Sequence, residues 1–185
     1  ETITFYSYKG GVGRTLALAN IAIYLSRFDQ SVCIIDFDLE APGVPYKLSE
    51  FFASPIEKGL VDYIYEFTST ADVPGSLQKF ILKAQSAPSR PGNIFLFPAG
   101  NVLVAEYWKK LASIDWHGLF YKEGGEGIPF FLELKEKIHK ELNPDFLLID
   151  SRTGITEMSS ICTSILPDKV VFLITNNREN IEGSR

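Results

Sequence analysis

Residues 8 to 15 read Tyr8-Lys9-Gly10-Gly11-Val12-Gly13-Arg14-Thr15, with three glycines and two cations packed together. What flanks them constrains the fold most. Before them, Thr2-Ile3-Thr4-Phe5-Tyr6-Ser7 is β-branched and aromatic, which predicts a short buried strand. After them, Leu16, Ala19, Ile23 and the run Leu25 to Phe28 recur at helical spacing. Ser31-Val32-Cys33-Ile34-Ile35-Asp36 is then a second strand, apolar over too long a run for one exposed face. Strand, helix and strand within about 35 residues make a βαβ unit with parallel strands and a right-handed crossover.

The alternation continues. Helices are expected over Gly59 to Phe67, Ser76 to Ala84, Val102 to Ser113, Phe130 to Leu142 and Gly154 to Leu166, with another beginning at Arg178. Strands are expected over Asn93 to Pro98, Asp145 to Asp150 and Lys169 to Thr175. The prolines and glycine of residues 86–92 predict a loop, and the glycine-rich, aromatic stretch Gly118 to Gly127 an irregular surface loop. The expected fold class is α/β: a mostly parallel sheet with helices on both faces, in three layers. Residues 1–185 read as one domain that lacks its C-terminal elements, and 44–130 as its less regular part. Ligands of such sheets bind beyond the carboxyl ends of the strands.

Composition removes several classes. Apolar residues make up 45% and charged residues 22%, which excludes a disordered chain. No apolar run reaches the about 18 residues of a membrane span, and the first residues are no signal peptide. Cys33 and Cys162 both lie in apolar runs and are expected to be reduced thiols in a cytoplasmic protein. With 18 basic against 23 acidic residues the net charge is −5, which does not support binding to nucleic-acid backbone. His117 and His139 are isolated, so no zinc spacing exists. Tyr107, Trp108, Trp116 and Phe120 are expected to pack in the core and at its edge.

Glycines let successive N–H groups curl toward an anion, and a helix starting there adds its positive end. The loop is therefore a candidate phosphate cradle formed by Gly10, Gly11, Val12, Gly13, Arg14, Thr15 and Leu16; a plain strand-to-helix turn is the other reading. The common pattern is G-x-x-x-x-G-K-S/T. Here Tyr8 stands for the first glycine, Arg14 for the lysine, and Lys9 comes early. Arginine keeps the charge but exchanges a point for a planar fork, which predicts binding with slow hydrolysis. The Thr15 hydroxyl is expected to ligate Mg²⁺. Asp36 and Asp150 end apolar strands, where a carboxylate is costly unless paired or near a metal; both are candidates for holding Mg²⁺ through water. Asp38 lies 38 − 14 = 24 positions past Arg14.

Lys9-Gly10-Gly11-Val12-Gly13-Arg14-Thr15 resembles the deviant Walker A loop of ParA/MinD-type P-loop ATPases, and most closely a subgroup with arginine in place of the usual lysine, found in multidomain bacterial proteins. Asp36-Phe37-Asp38-Leu39-Glu40-Ala41-Pro42-Gly43 resembles that class's switch I, Phe97-Pro98-Ala99-Gly100 its mid-domain strand end, and Asp150-Ser151-Arg152-Thr153-Gly154 its Walker B and switch II. The resemblance implies ATP and Mg²⁺ as cofactors. It implies that Lys9 reaches a second subunit's phosphates, that Arg14 acts on its own nucleotide, that Asp38 orients the attacking water, that Gly154 meets the γ-phosphate, and that Asn176 reads the adenine edge. Asn176 fits a strand-end turn equally. Arg152 is either a phosphate sensor or an exposed cation.

The function this implies is a Mg-ATP-dependent dimerisation switch, an ATP hydrolase in a regulatory, signalling or defence-associated protein with a further domain or protein partner. The alternatives are a nucleotide-binding scaffold with little or no hydrolysis, a DNA-partitioning ATPase, and a small-molecule kinase or ligase with a second pocket within 44–130.

Overall fold

Side chains of β2 (Val32–Asp36) point alternately into two different cores, and this alternation builds the molecule. The computed structural model describes residues 1–87, 89, 92–121 and 125–183. On one face of the sheet, Val32 and Ile34 pack with Phe5 of β1 (Thr2–Tyr6), Leu148 of β5 (Phe146–Asp150), Leu96 of β4 (Ile94–Phe97), and Leu18, Ala19 and Ala22 of α1 (Arg14–Arg27). On the other face, Cys33 and Ile35 join Leu147, Ile149 and Phe97. That second core is closed by α3 (Leu60–Thr70), α6 (Gly127–Leu142) and the wide turn Ile161–Ile165 that follows α7 (Glu157–Ser160). Both faces of the central strands are covered, which is why their sequences are continuously apolar.

With β3 (Leu82–Lys83) and β6 (Lys169–Phe172) at its two edges, the sheet runs β3-β4-β2-β5-β1-β6, β3 antiparallel and the rest parallel. This is the mostly parallel, helix-flanked sheet expected from the sequence. β6 is exposed along its length. β2 and β5 are neighbours in register, with Asp36 opposite Asp150, so both acids stand at the same end of the sheet. Asn143, at φ 44, ends α6 in the left-handed region just before Pro144. Among the described residues no helix is long and apolar enough to cross a membrane.

Four local expectations are corrected. Ser76 to Ala84 is not a helix. Leu77 and Phe80 turn inward under α3, Phe80 edge-on to Tyr63 at 5.2 Å, and Leu82–Lys83 then pairs with β4. The unpaired amides along the rim of β4 outweighed local helical spacing. Within 118–127 the described residues are partly helical: α5 (Trp116–Tyr121) precedes α6, which starts at Gly127, while 122–124 lie outside the described residues. Residues four apart drive α5, where Trp116 stacks on Phe120 and Phe120 on Phe131 at 6.0 Å. Finally, the helix expected from Gly154 begins at Glu157, capped by the Thr156 hydroxyl, and the last expected strand stops at Phe172. Of the loop at 86–92, residues 88, 90 and 91 lie outside the described residues. Cys33 and Cys162 are buried free thiols, their ionisation suppressed by burial. Tyr107, Trp116 and Phe120 pack on the second core, while Trp108 is 45% exposed.

Candidate functional site

The loop after β1 turns twice through the left-handed region, at Gly11 (φ +79) and Gly13 (φ +86), backbone that a residue with a Cβ adopts only with strain. Gly13 is also the N-cap of α1, so no side chain caps that helix end. A Cβ placed on Gly10, Gly11 or Gly13 would meet nothing within 4 Å, because these residues front a cleft of about 560 Å³. Ser7 donates from Oγ to the Lys9 carbonyl at 3.0 Å and holds the loop's first turn.

The sheet order explains the cleft. β2, β5 and β1 are adjacent and parallel, so the loops leaving their carboxyl ends lie side by side. The glycine loop follows β1 and supplies Gly10, Gly11, Val12, Gly13, Arg14, Thr15 and Leu16. The loop after β5 supplies Arg152 and Thr153; the loop after β2 supplies Asp38, Glu40 and Ala41. Lys47 enters from α2 (Val44–Lys47).

Under the loop lies a polar cluster. Arg14 is 6% exposed; its Nε donates to Asp150 Oδ1 at 2.6 Å and its Nη2 to Asp38 Oδ2 at 3.0 Å. Burial alone would lower the Arg14 pKa, but Asp150 and Asp38 outweigh it and keep the guanidinium charged. Thr15 donates from Oγ1 to Asp150 Oδ2 at 2.7 Å. Asp36 accepts from the backbone N–H groups of Val44 at 3.1 Å and Asp38 at 3.2 Å. Burial, reinforced by Asp150, pushes Asp36 well above the usual carboxylate range. Burial also raises Asp150, against the opposing pull of Arg14 and Thr15.

The structure therefore sorts the residues singled out from the sequence. Gly10 to Leu16 and Asp38 share one cleft. Lys9 is exposed on the outer turn, its Nζ 5.9 Å from the Tyr8 ring centroid. Asp36 and Asp150 are fully buried beneath the cleft rather than in its lining. Arg14 turns its fork down onto two carboxylates. Gly154, at φ +76, accepts a hydrogen bond from Tyr6 OH at 3.1 Å through its carbonyl. Asn176 lines a separate depression with Asn177, Arg178, Ile181 and Glu182. Arg152 is partly exposed at the cleft, and its two terminal nitrogens each meet a Glu40 carboxylate oxygen at 2.7 Å. Sequence reading missed Glu40, Lys47 and Tyr107, whose hydroxyl donates to the Leu39 carbonyl at 2.5 Å. Glu40 lies inside the stretch Asp36 to Gly43 without being singled out there, and no local motif marks Lys47 or Tyr107.

A model of the CobQ/CobB/MinD/ParA nucleotide-binding domain matches residues 3–181. The chain belongs to this family. No curated protein matches it. Among solved structures of this fold, MinD of Pyrococcus horikoshii OT3 complexed with Mg-ADP superposes with a TM-score of 0.68 at 18% identity, covering 99% of this chain and 61% of that one. A Cyanothece McdA–ATP complex gives 0.64 at 18% identity over 99% and 59%. MinD of Aquifex aeolicus gives 0.60 at 24% identity over 99% and 60%. This MinD/ParA-family chain thus spans about three fifths of the length of these structures.

The donor set fits a metal-bound polyphosphate. One guanidinium, that of Arg14, serves two carboxylates, Asp38 and Asp150, so the floor adds no net positive charge toward a polyanion. A hard cation beside Thr15 and Asp38 offers compensation, and hydroxyl and carboxylate oxygens are the ligands Mg²⁺ takes. Among the described residues no cluster of three or more His, Cys, Asp and Glu side chains is placed to hold a metal ion.

Proposed function

We propose that this domain binds Mg-ATP in the glycine-loop cleft, hydrolyses it slowly, and works as a nucleotide-dependent dimerisation switch within a larger regulatory, signalling or defence-associated protein. The observation that carries the proposal is the glycine loop. Left-handed turns at Gly11 and Gly13, and an α1 start that no side chain caps, front one cleft. Oriented amides and a helix N-terminus form an anion bed. Mg²⁺ supplies charge compensation for the transferring phosphoryl group. In this reading Thr15 holds the ion, Asp150 orients the Thr15 hydroxyl, and Asp36 pins the chain at Val44. Asp38 accepts and orients the attacking water's proton once released from Arg14. Lys9, exposed next to the glycine loop, would in this reading reach a second copy.

The test combines phosphate release with molar mass in solution, with and without Mg-ATP, for the wild type and Asp38→Ala. The expected result is a slow wild-type turnover, its loss in Asp38→Ala, and a doubling of mass in the ATP-loaded variant. Constant mass removes the dimer; absence of nucleotide binding removes the whole reading.

One observation favours a second reading, a nucleotide-binding scaffold without useful turnover. Arg14 is committed to Asp150 and Asp38, leaving its fork turned away from the loop. Equal, near-zero phosphate release by wild type and Asp38→Ala, with ATP binding intact, selects it.

A further inference from the structure

Arg152 and Glu40 are 112 residues apart yet meet in a two-pronged ion pair, both contacts at 2.7 Å. Their side chains are 34% and 57% exposed, so this pair sits at the lip of the cleft, unlike the buried pair on its floor. The sheet order puts Arg152 on the middle of three neighbouring loops. On one side of it is the glycine loop; on the other is the segment that carries Glu40. Both residues line the same cleft. They also form part of the wall of a second, smaller cavity of about 130 Å³, lined as well by Phe37, Leu39, Trp116 and Met158.

The chemistry of the pair makes it exchangeable. A guanidinium fork accepts a phosphate as readily as a carboxylate. An exposed pair of this kind contributes little stability, so giving up Glu40 costs little. The glycine loop and Arg152 line one cleft, so a polyphosphate anchored on the loop would bring its outermost unit to Arg152 if it ran toward the middle loop. That unit and Glu40 are two anions competing for one fork, and they repel each other.

We propose that Arg152 is a specificity-determining residue that distinguishes a nucleoside triphosphate from a diphosphate, exchanging Glu40 for the terminal phosphate and thereby freeing the segment after β2. The proposal rests on the reading that nucleotide occupies this cleft. Glu40 is the built-in competitor, so removing it has the opposite effect from removing Arg152.

The experiment is calorimetric binding of Mg-ADP and of a non-hydrolysable Mg-ATP analogue to the full chain, to Arg152→Ala, to Arg152→Lys and to Glu40→Gln. Arg152→Ala is expected to weaken the analogue about tenfold or more and to leave ADP within about twofold, the unchanged ADP affinity reporting an intact cleft. Arg152→Lys restores part of the loss. Glu40→Gln is expected to tighten the analogue by about threefold with ADP unchanged. If Arg152→Ala and Glu40→Gln weaken binding in the same direction, or affect both nucleotides alike, the pair is only structural and the proposal fails while nucleotide binding stands. If the wild type binds neither nucleotide, the proposal falls together with the reading of the cleft.

Discussion

Two arginine–carboxylate pairs serve the same cleft and differ chiefly in burial. Arg14 and Asp150 are sealed under the glycine loop, at 6% and 0% exposure, while Arg152 and Glu40 lie in contact with solvent. Charge removed from water must be fully partnered, and each missing partner is expensive. Charge left at the surface is screened, and its partner can be traded. The floor of the site is thus a fixed element and the lip a movable one, although both use the same chemical groups.

The largest expected effect is on the floor. Arg14→Met strands Asp150 and Asp38 beside Asp36, and chemical denaturation should show a loss of about 3–5 kcal/mol. A loss below about 1 kcal/mol would erase the distinction between floor and lip. The pH dependence sharpens it. Asp36 is raised well above the usual carboxylate range, so the folded chain holds a proton that the unfolded chain releases. Stability from this source falls as pH rises from the ordinary carboxylate range through the raised value. Without Arg14 to oppose burial, Asp150 rises further, so Arg14→Met should regain stability more steeply than wild type as pH falls through the raised values toward the ordinary carboxylate range. A flat or inverted difference would mean that the carboxylates are not coupled.

A smaller effect is expected where the second core meets the segment after β2. Tyr107→Phe removes the donor to the Leu39 carbonyl and should cost about 1–3 kcal/mol in thermal or chemical denaturation. The smallest belongs to the lip. Arg152→Ala or Glu40→Gln should change stability by about 0–1 kcal/mol, and added salt should shrink the difference. A larger, salt-insensitive loss would make the lip a second floor.

What could be read in advance divides along similar lines. The strand, glycine loop, helix and second strand are local: β-branching, left-handed glycines and helical spacing each act within a few residues, and β1, α1 and β2 lie where the pattern puts them. Ser76 to Ala84 was decided by the rim of β4, more than ten residues away, which helical spacing does not sense. The positions of Asp36 and Asp150 at strand ends were legible; their full burial, one layer beneath the cleft, was not, because it depends on the close packing of three loops. The fork of Arg14 likewise reads as a phosphate grip from its position in the motif, whereas its contacts are set by carboxylates 24 and 136 residues away. Arg152 and Glu40 find each other only because β2 and β5 are neighbours.

Gly13 has one more consequence. With a glycine at its start, α1 relies on something other than a side chain to satisfy its leading amides. A guest anion would then complete the secondary structure as well as occupy a site, so occupancy and helix order rise together. Hydrogen exchange in the opening turn of α1 would report that linkage directly, slowing as the guest saturates while the far end at Arg27 keeps its own pace.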